Sequence, residues 1–287
     1  MKKILTGLLI AAGTLTFLAG CSSSSSSAKA DQTKDSTAAE SKVDNSSALQ
    51  DIKDSGELVL GTAADFAPFE FPDGDGQTTG TDIEIAQAIA DDLGVKLKIM
   101  DLSFDNLLSS LQAGKLDIVL SGVSATEERA KSVDFSQAYF TPTQEILVKK
   151  DNAAAFQKAT DLTDKNLGAQ KGSLQEDIAN EQFSDSKIVS VPLTTNLIVQ
   201  LKSGGLDAVI MESAVAQSYV NANDDLVISD IEIPADPNES YAAALPKNCG
   251  DLKTEVDDVI KKLMDDETID QWIAKYTALA DEQAATE

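Results

Sequence analysis

The sequence contains no histidine at all. Its absence removes the Ser–His and Cys–His pairs that activate nucleophiles in many hydrolases, and it removes the commonest transition-metal ligand. We therefore expect no metal, no cofactor and no catalytic residue, and hence no enzyme. Chemistry based on paired carboxylates stays open, because Asp and Glu together number 48.

Basic residues and cysteines are also scarce. Lys and Arg number 23, which leaves a formal net charge of −25 at pH 7. So acidic a chain is a poor partner for nucleic acid and does not adsorb to anionic lipid through its charge. There are two cysteines, and the sulfur of Cys21 is predicted below to be lipidated. Cys249 then has no second thiol with which to form an intramolecular disulfide. We interpret Cys249 as incidental.

Long hydrophobic runs are absent except near the start. Two lysines precede an apolar stretch over residues 4–18, which ends in Leu18-Ala19-Gly20-Cys21. This order predicts a signal peptide over residues 1–20. The tetrapeptide resembles the bacterial lipobox, which implies cleavage before Cys21 and lipidation of its sulfur. An ordinary signal with an incidental cysteine is the alternative. The polar, serine-rich residues 21–48 predict a disordered tether.

Beyond the tether, the chain alternates between short apolar runs and segments of helical periodicity. Strands are predicted at residues 58–61, 95–100 and 116–120, with helices over 82–93 and 104–113 between them. An extended connector is expected at 144–149. The alternation then resumes, with strands at 167–169, 187–191 and 206–211, helices from 173 toward 183, over 194–202 and over 213–221, and tail helices over 251–264 and 266–276. Such alternation favours parallel sheets with helices on their faces.

The two halves share a signature. A helix end, a glycine and a buried strand surround both Asp117 and Asp207 in the same spacing. Any β-α-β unit can produce such a pattern, but the gap-free match favours two similar lobes.

A turn of small residues follows the strand at 116–120 and leads to Arg129. Ser124 and Glu127 have the spacing of a capping box, so we expect a helix to start there. A helix N-terminus and an arginine fork together suit a carboxylate. A surface turn in which Arg129 pairs with Glu127 or Glu128 is the alternative.

The equivalent strand end in the second half is Met211-Glu212. Ligands of open α/β sheets bind beyond the carboxyl ends of the strands. One half would then present Arg129 to a carboxylate and the other would present Glu212 to an ammonium group. A zwitterion fits between them.

Several motifs in the same order resemble the extracellular solute-binding proteins of polar amino-acid ABC importers. They are Gly61-Thr62 with 66–70, Gly80-Thr81-Asp82-Ile83, Ser121 with 124–129, Val133-Asp134-Phe135-Ser136, and Gly172-Ser173. The resemblance implies the α/β, two-lobed type II periplasmic-binding fold, each lobe a mostly parallel sheet with flanking helices and the ligand in the cleft between them. Crossover strands are implied near 144–148 and 241–245. The expected division is 49–143 for the first lobe, 144–240 for the second, and 241–287 for the return to the first lobe and the C-terminal helices.

The resemblance also implies roles for particular residues. Arg129 would bind the ligand α-carboxylate and Glu212 its ammonium group, although relatives mostly have Asp there. The remaining contacts would come from the turns Ser121, Gly122 and Ser124, and Ser173 and Leu174, and from the rings of Phe66 and Phe104. Either ring could instead be ordinary core. Ala63 stands where relatives that bind cationic side chains often have Asp, so we expect the side chain of the ligand to be uncharged or only weakly selected by charge. Asp65 lies nearby but is out of register with that position.

The function implied by the resemblance is capture of an amino acid outside the cell and delivery to the permease of an ABC importer. We expect a monomer, lipid-anchored on the extracellular face of the membrane. A dehydratase-like enzyme on the same fold and an extracellular amino-acid sensor are the alternatives, because fold does not fix function.

Overall fold

The computed structural model describes residues 47–234 and 240–284. The predicted signal peptide, the predicted lipidation site Cys21 and nearly all of the predicted tether lie outside these ranges. Within them, no helix combines the length and the apolar character that a membrane crossing requires.

The secondary structure follows the predicted alternation closely. The helices are α1 (Ala48–Ser55), α2 (Thr81–Leu93), α3 (Phe104–Gln112), α4 (Glu127–Ala130), α5 (Leu174–Gln182), α6 (Thr194–Ser203), α7 (Ser213–Ala222), α8 (Asp251–Asp265) and α9 (Thr268–Ala284). The strands are β1 (Glu57–Thr62), β2 (Phe71–Pro72), β3 (Thr78–Thr79), β4 (Lys96–Asp101), β5 (Ile118–Val119), β6 (Asp134–Phe135), β7 (Gln144–Lys149), β8 (Asn166–Gln170), β9 (Lys187–Val191), β10 (Ala208–Glu212), β11 (Leu226–Ile228) and β12 (Ala244–Leu245).

The first sheet has the order β4-β1-β5-β12-β6. Strand β1 pairs in parallel with β4 and β5, as the β-α-β pattern predicts. Strand β12 comes from far along the chain and pairs antiparallel with β5 and β6, so the chain returns to this sheet. We call this sheet and the helices packed on it the first lobe.

The second sheet has the order β11-β7-β10-β8-β9 and forms the second lobe. Strands β8, β9 and β10 are parallel, whereas β7 runs antiparallel to both β10 and β11. The segment expected as an extended connector is thus a strand inside this sheet. Its start, Gln144, pairs with Glu212, which brings the chain into the second lobe beside a candidate site residue.

The repeated aspartates have the same role in both lobes. The Asp117 carboxylate accepts a hydrogen bond of 2.8 Å from the main-chain N–H of Val59, and the Asp207 carboxylate accepts one of 2.9 Å from that of Asn166. Each aspartate therefore ties the approach to one strand to the neighbouring parallel strand. The sequence repeat therefore corresponds to the same aspartate-to-main-chain hydrogen bond in each lobe.

The two predicted helix starts have different outcomes. Ser173 is the N-cap of α5, where its Oγ accepts from the N–H of Glu176 at 3.2 Å, as predicted. The prediction for Ser124 is wrong. Thr126 caps α4 instead and accepts from the N–H of Arg129, while Ser124 forms an isolated β-bridge with Tyr241. Pairing of the turn with a distant strand segment holds Ser124 outside the helix.

Candidate functional site

The turn after β5 is held from within the first lobe. Ser121 Oγ donates to Glu70 Oε1 at 2.8 Å and accepts from the main-chain N–H of Ala63 at 3.1 Å. The N–H of Gly122 donates to Asp82 Oδ2 at 2.8 Å, and Gly122 has a positive φ of 53°. The Ser121 hydroxyl and the Gly122 N–H therefore position the turn through hydrogen bonds within the first lobe.

Arg129 lies half-buried at the edge of this turn. Its Nη1 donates to the Ser124 carbonyl oxygen at 2.9 Å, and its Nη2 donates to the Gly172 carbonyl oxygen at 3.0 Å. The Phe104 ring lies beneath it, with 5.6 Å between the guanidinium carbon and the ring centroid. Burial lowers the pKa of Arg129, while the charges of Asp177 and Glu212 oppose that shift. Arginine nevertheless stays charged in proteins.

The alternative pairing of Arg129 with its neighbours is not what the structure shows. Glu128 forms an ion pair with Lys131 on the solvent side of α4. Arg129 instead reaches from the first lobe to the second. The arginine fork is therefore directed into the cleft between the lobes.

The second lobe contributes the turn before α5 and the end of β10. Ser173 is 3% exposed, and its Oγ also donates to the Gln170 carbonyl oxygen at 2.7 Å. The Leu174 side chain packs against the core of the second lobe. The side chains of both residues thus serve the lobe itself, and the turn meets Arg129 through the Gly172 carbonyl oxygen.

Glu212 ends β10 and is 3% exposed. Gln175 donates one amide hydrogen bond to Glu212 Oε1 and another to Gln144 Oε1. Burial, and after it the charge of Glu212, raises the pKa of the neighbouring Tyr241. A carboxylate is therefore held in place by an amide network at the cleft floor.

The two candidate phenylalanines take different positions. Phe66 is 7% exposed and belongs to the main core, but it also lines a small cavity together with Gln170, Gln175 and Glu212. Phe104 is partly buried and carries Arg129 on its face. Both rings thus adjoin the arginine or the glutamate.

Further contacts close the cleft. Lys171 of the second lobe pairs with Asp105 of the first at 2.9 Å, which lowers the pKa of that aspartate. Asp65 Oδ2 accepts from the N–H of Thr194, the first residue of α6, at 2.5 Å. Burial raises the pKa of Asp65 to about 6.

Sequence reasoning missed Gln175 and the Asp65–Thr194 contact, and it left Glu70 and Asp82 as unassigned members of motifs. Nothing in the local pattern marks Gln175, because its role depends on β10 lying beside α5. In the part of the chain that the structure describes, no three His, Cys, Asp or Glu side chains are grouped to hold a metal ion.

Comparison with known proteins places this arrangement in a family. Residues 58–278 match the family described as bacterial extracellular solute-binding proteins, family 3. The chain belongs to this family. It therefore has the type II, two-lobed periplasmic-binding fold that the resemblance implied.

Individual members of the family show how far the likeness extends. The arginine-binding extracellular protein ArtP of Bacillus subtilis is 32% identical over 96% of this chain and 98% of its own length. The crystal structure of the amino acid ABC transporter substrate-binding protein AbpA from Streptococcus pneumoniae, bound to L-arginine, has 44% identity and a TM-score of 0.79, covering 80% of this chain and 98% of that one. The ancestral amino-acid-binding protein AncCDT-1, a precursor of cyclohexadienyl dehydratase, has 35% identity and a TM-score of 0.74, covering 80% of this chain and 99% of its own.

Proposed function

We propose that this protein captures an amino acid outside the cell and delivers it to the permease of an ABC importer. The observation that carries the proposal is the reach of Arg129 across the cleft, with Glu212 on the opposite lobe. Opposite charges on opposite lobes match the two ends of a zwitterion. The family membership and the amino-acid-binding relatives support the same assignment.

The α-carboxylate of the ligand binds Arg129 in this proposal. A guanidinium has five N–H donors in a planar fork, and a carboxylate accepts from it more strongly than a neutral carbonyl does. The ligand would therefore replace the Gly172 carbonyl as the acceptor of Nη2. The ammonium group would meet Glu212, whose position is set by Gln175.

L-Arginine is the amino acid we propose first. ArtP is named for arginine and AbpA holds it, and the carboxyl group of Asp65 adds negative charge to the first-lobe side of the cleft. A negative field favours a guanidinium side chain. The alanine at position 63 favours instead a ligand whose side chain is only weakly selected by charge. Glutamine is therefore the second candidate.

A binding panel separates these candidates. Thermal shift and calorimetry would compare L-arginine, L-lysine, L-glutamine, N-acetyl-L-arginine and agmatine, which is arginine without its carboxylate. A ligand at a hundred times its Kd stabilises the folded state by about 2.7 kcal/mol. We expect L-arginine to stabilise most and agmatine to fail. Equal stabilisation by glutamine and arginine would support the weaker charge selection, and no stabilisation by any amino acid would refute the proposal.

The dehydratase-like alternative has a simple test. Relatives described as binding proteins support a non-catalytic role. The similar ancestral protein named as a dehydratase precursor is the reason to test for catalysis directly. Incubation of arginine with an equal amount of protein, followed by mass spectrometry, should return unaltered arginine. Recovery of a product would favour the enzyme.

The N-terminal sequence supports a lipid anchor at Cys21. Stable anchoring requires two or more acyl chains, because a single chain binds membranes only reversibly. Mass spectrometry of the N-terminal peptide from membrane-derived protein should find acylated Cys21 as the first residue. An unmodified Cys21 in that material would remove the anchor from the proposal.

A further inference from the structure

Two acidic side chains lie beneath the turn that carries the candidate site. Glu70 precedes β2 and Asp82 is in the first turn of α2, and both are 0% exposed. Glu70 Oε1 accepts from Ser121 Oγ, and Asp82 Oδ2 accepts from the N–H of Gly122 and from the Tyr139 hydroxyl at 2.8 Å each. The two carboxyl groups also adjoin each other.

No cation balances this pair among the described residues. The titratable groups that act on it are Tyr139, Asp65 and Tyr241, and none of these is a base. Two buried negative charges without a counter-ion cost far more than one charge and one neutral acid. The N-terminal end of α2 stabilises a single negative charge at Asp82.

The oxygens on the two groups point to the same conclusion. Glu70 Oε2 and Asp82 Oδ1 are both buried, and no N–H or O–H donor of the described chain reaches either. A buried carboxylate oxygen without a donor is unfavourable. One proton shared between the adjoining groups satisfies both oxygens at once.

We propose that Glu70 and Asp82 hold one proton between them at neutral pH, Glu70 as the acid and Asp82 as the carboxylate, and that this pair positions the Ser121–Gly122 turn for ligand binding. The first half of this proposal concerns the protein without ligand. The second half rests on the proposed function.

The assignment of the proton follows from the surroundings. Burial raises the pKa of Asp82 to about 6, and burial together with the neighbouring Asp82 charge raises that of Glu70 well above its usual range. Ionised Asp82 accepts strongly from the Gly122 N–H, and neutral Glu70 leaves the Ser121 hydroxyl to bridge from Glu70 to the N–H of Ala63. Acidification below about pH 6 would protonate Asp82 as well, weaken its hold on Gly122 and loosen the turn.

Two isosteric variants test the pair. Glu70→Gln keeps a neutral side chain that can donate to Asp82 and accept from Ser121, so we expect arginine affinity within about threefold of wild type at neutral pH, roughly 0.65 kcal/mol. Asp82→Asn removes the charge that holds Gly122, so we expect an affinity loss of about tenfold or more at neutral pH. Wild-type affinity should fall as the pH drops below about 6, and Asp82→Asn should lack that fall. Asp65→Asn removes the other carboxyl whose pKa is about 6; it should weaken arginine binding at neutral pH but keep a fall below about pH 6, because Asp82 still titrates.

Infrared spectroscopy of the full chain without ligand tests the proton directly. Wild type at neutral pH should show the carbonyl stretch of one un-ionised carboxylic acid, and Glu70→Gln should lack it. Absence of this band in wild type would overturn the proposal even if both variants fail to fold. Because this measurement needs no ligand, a failed arginine assignment cannot be mistaken for a failed proton assignment. If wild type shows the band but Asp82→Asn binds arginine as tightly as wild type, the shared proton stands and only the positioning role is refuted.

Discussion

The guanidinium of Arg129 donates a hydrogen bond to the Gly172 carbonyl oxygen across 3.0 Å, and this bond joins the two lobes. Arg129 therefore bridges the closed cleft through a neutral acceptor. A ligand carboxylate at the same place would add its full negative charge and could accept from both arms of the fork, which a single neutral carbonyl oxygen does not. Differential contacts of this kind are what allow a ligand to shift an open–closed equilibrium.

Removal of the Arg129 fork should abolish tight binding. Truncation of one partner of a buried charge pair costs about 2–5 kcal/mol, so we expect Arg129→Ala to weaken arginine binding by about thirtyfold or more in calorimetry. Arg129→Lys should also lose most affinity, because a point charge does not replace a planar fork. Lys131→Ala, at the exposed residue directly after the same helix, is the matched control. Wild-type affinity in Arg129→Ala would refute the clamp.

Glu212 should select for a free ammonium group. Glu212→Gln keeps the size of the side chain but not its charge, so the loss of affinity should be larger for the free amino acid than for its N-acetyl derivative. Calorimetry with both ligands gives the difference. Glu181→Gln, on the exposed face of α5, should change neither affinity. Equal losses for the two ligands would show that Glu212 does not meet the ammonium group.

Asp65 should make stability depend on pH. Its pKa is raised from 3.8 to about 6. Its contribution to the free energy of unfolding is therefore fully present below its pKa in the unfolded state and is lost as the pH rises through about 6. The loss is on the order of 2–3 kcal/mol. Asp65→Asn cannot titrate, yet its amide oxygen can still accept from Thr194. In urea unfolding from about pH 4 to about pH 8, this variant should lose less stability with rising pH than wild type or the exposed control Asp151→Asn. An unchanged slope would contradict the assignment.

Gly122 should be irreplaceable, whereas Gly114 should not. A Cβ at Gly122, where φ is +53°, would lie 2.8 Å from the Phe66 ring. Gly114 has a similar φ of +67°, but a Cβ there would meet nothing within 4 Å. Both alanine variants should lose about 1–2 kcal/mol from backbone strain. Only Gly122→Ala should also lose arginine affinity, by about tenfold or more. Equal affinities would show that the turn does not shape the site.

The paired aspartates should stabilise the two lobes to similar extents. Hydrogen bonds to charged groups contribute about 1.5–3 kcal/mol, so Asp117→Ala and Asp207→Ala should each lower the free energy of unfolding by about that amount. Because the residues lie in different sheets without shared partners, the double variant should show the sum within about 0.5 kcal/mol. If either single variant has a free energy of unfolding within about 0.5 kcal/mol of wild type, that aspartate does not stabilise its lobe as proposed.

Much of the fold was predictable because the apolar pattern and the turn chemistry agree locally. Strand β9 (Lys187–Val191) has the predicted bounds, and Ser173 caps α5 as its spacing indicates. The prediction for Ser124 failed because a bridge to Tyr241, distant in the sequence, overrides the local spacing. Arg129 and Glu212 could be predicted because each lies at or after the carboxyl end of a predicted strand. The amide of Gln175, which holds Glu212, is not marked by any pattern in the neighbouring sequence.

The sequence by itself determined the alternation of strands and helices, the two-lobed repeat marked by Asp117 and Asp207, and the turn that carries Arg129. These features depend on neighbours along the chain, where periodicity and capping chemistry act. Only the tertiary structure decided that Arg129 reaches Gly172 and that Glu70 meets Asp82. Those contacts join segments brought together by sheet pairing and lobe closure, and the cost of burying charge, which sets their chemistry, arises only once the chain has folded.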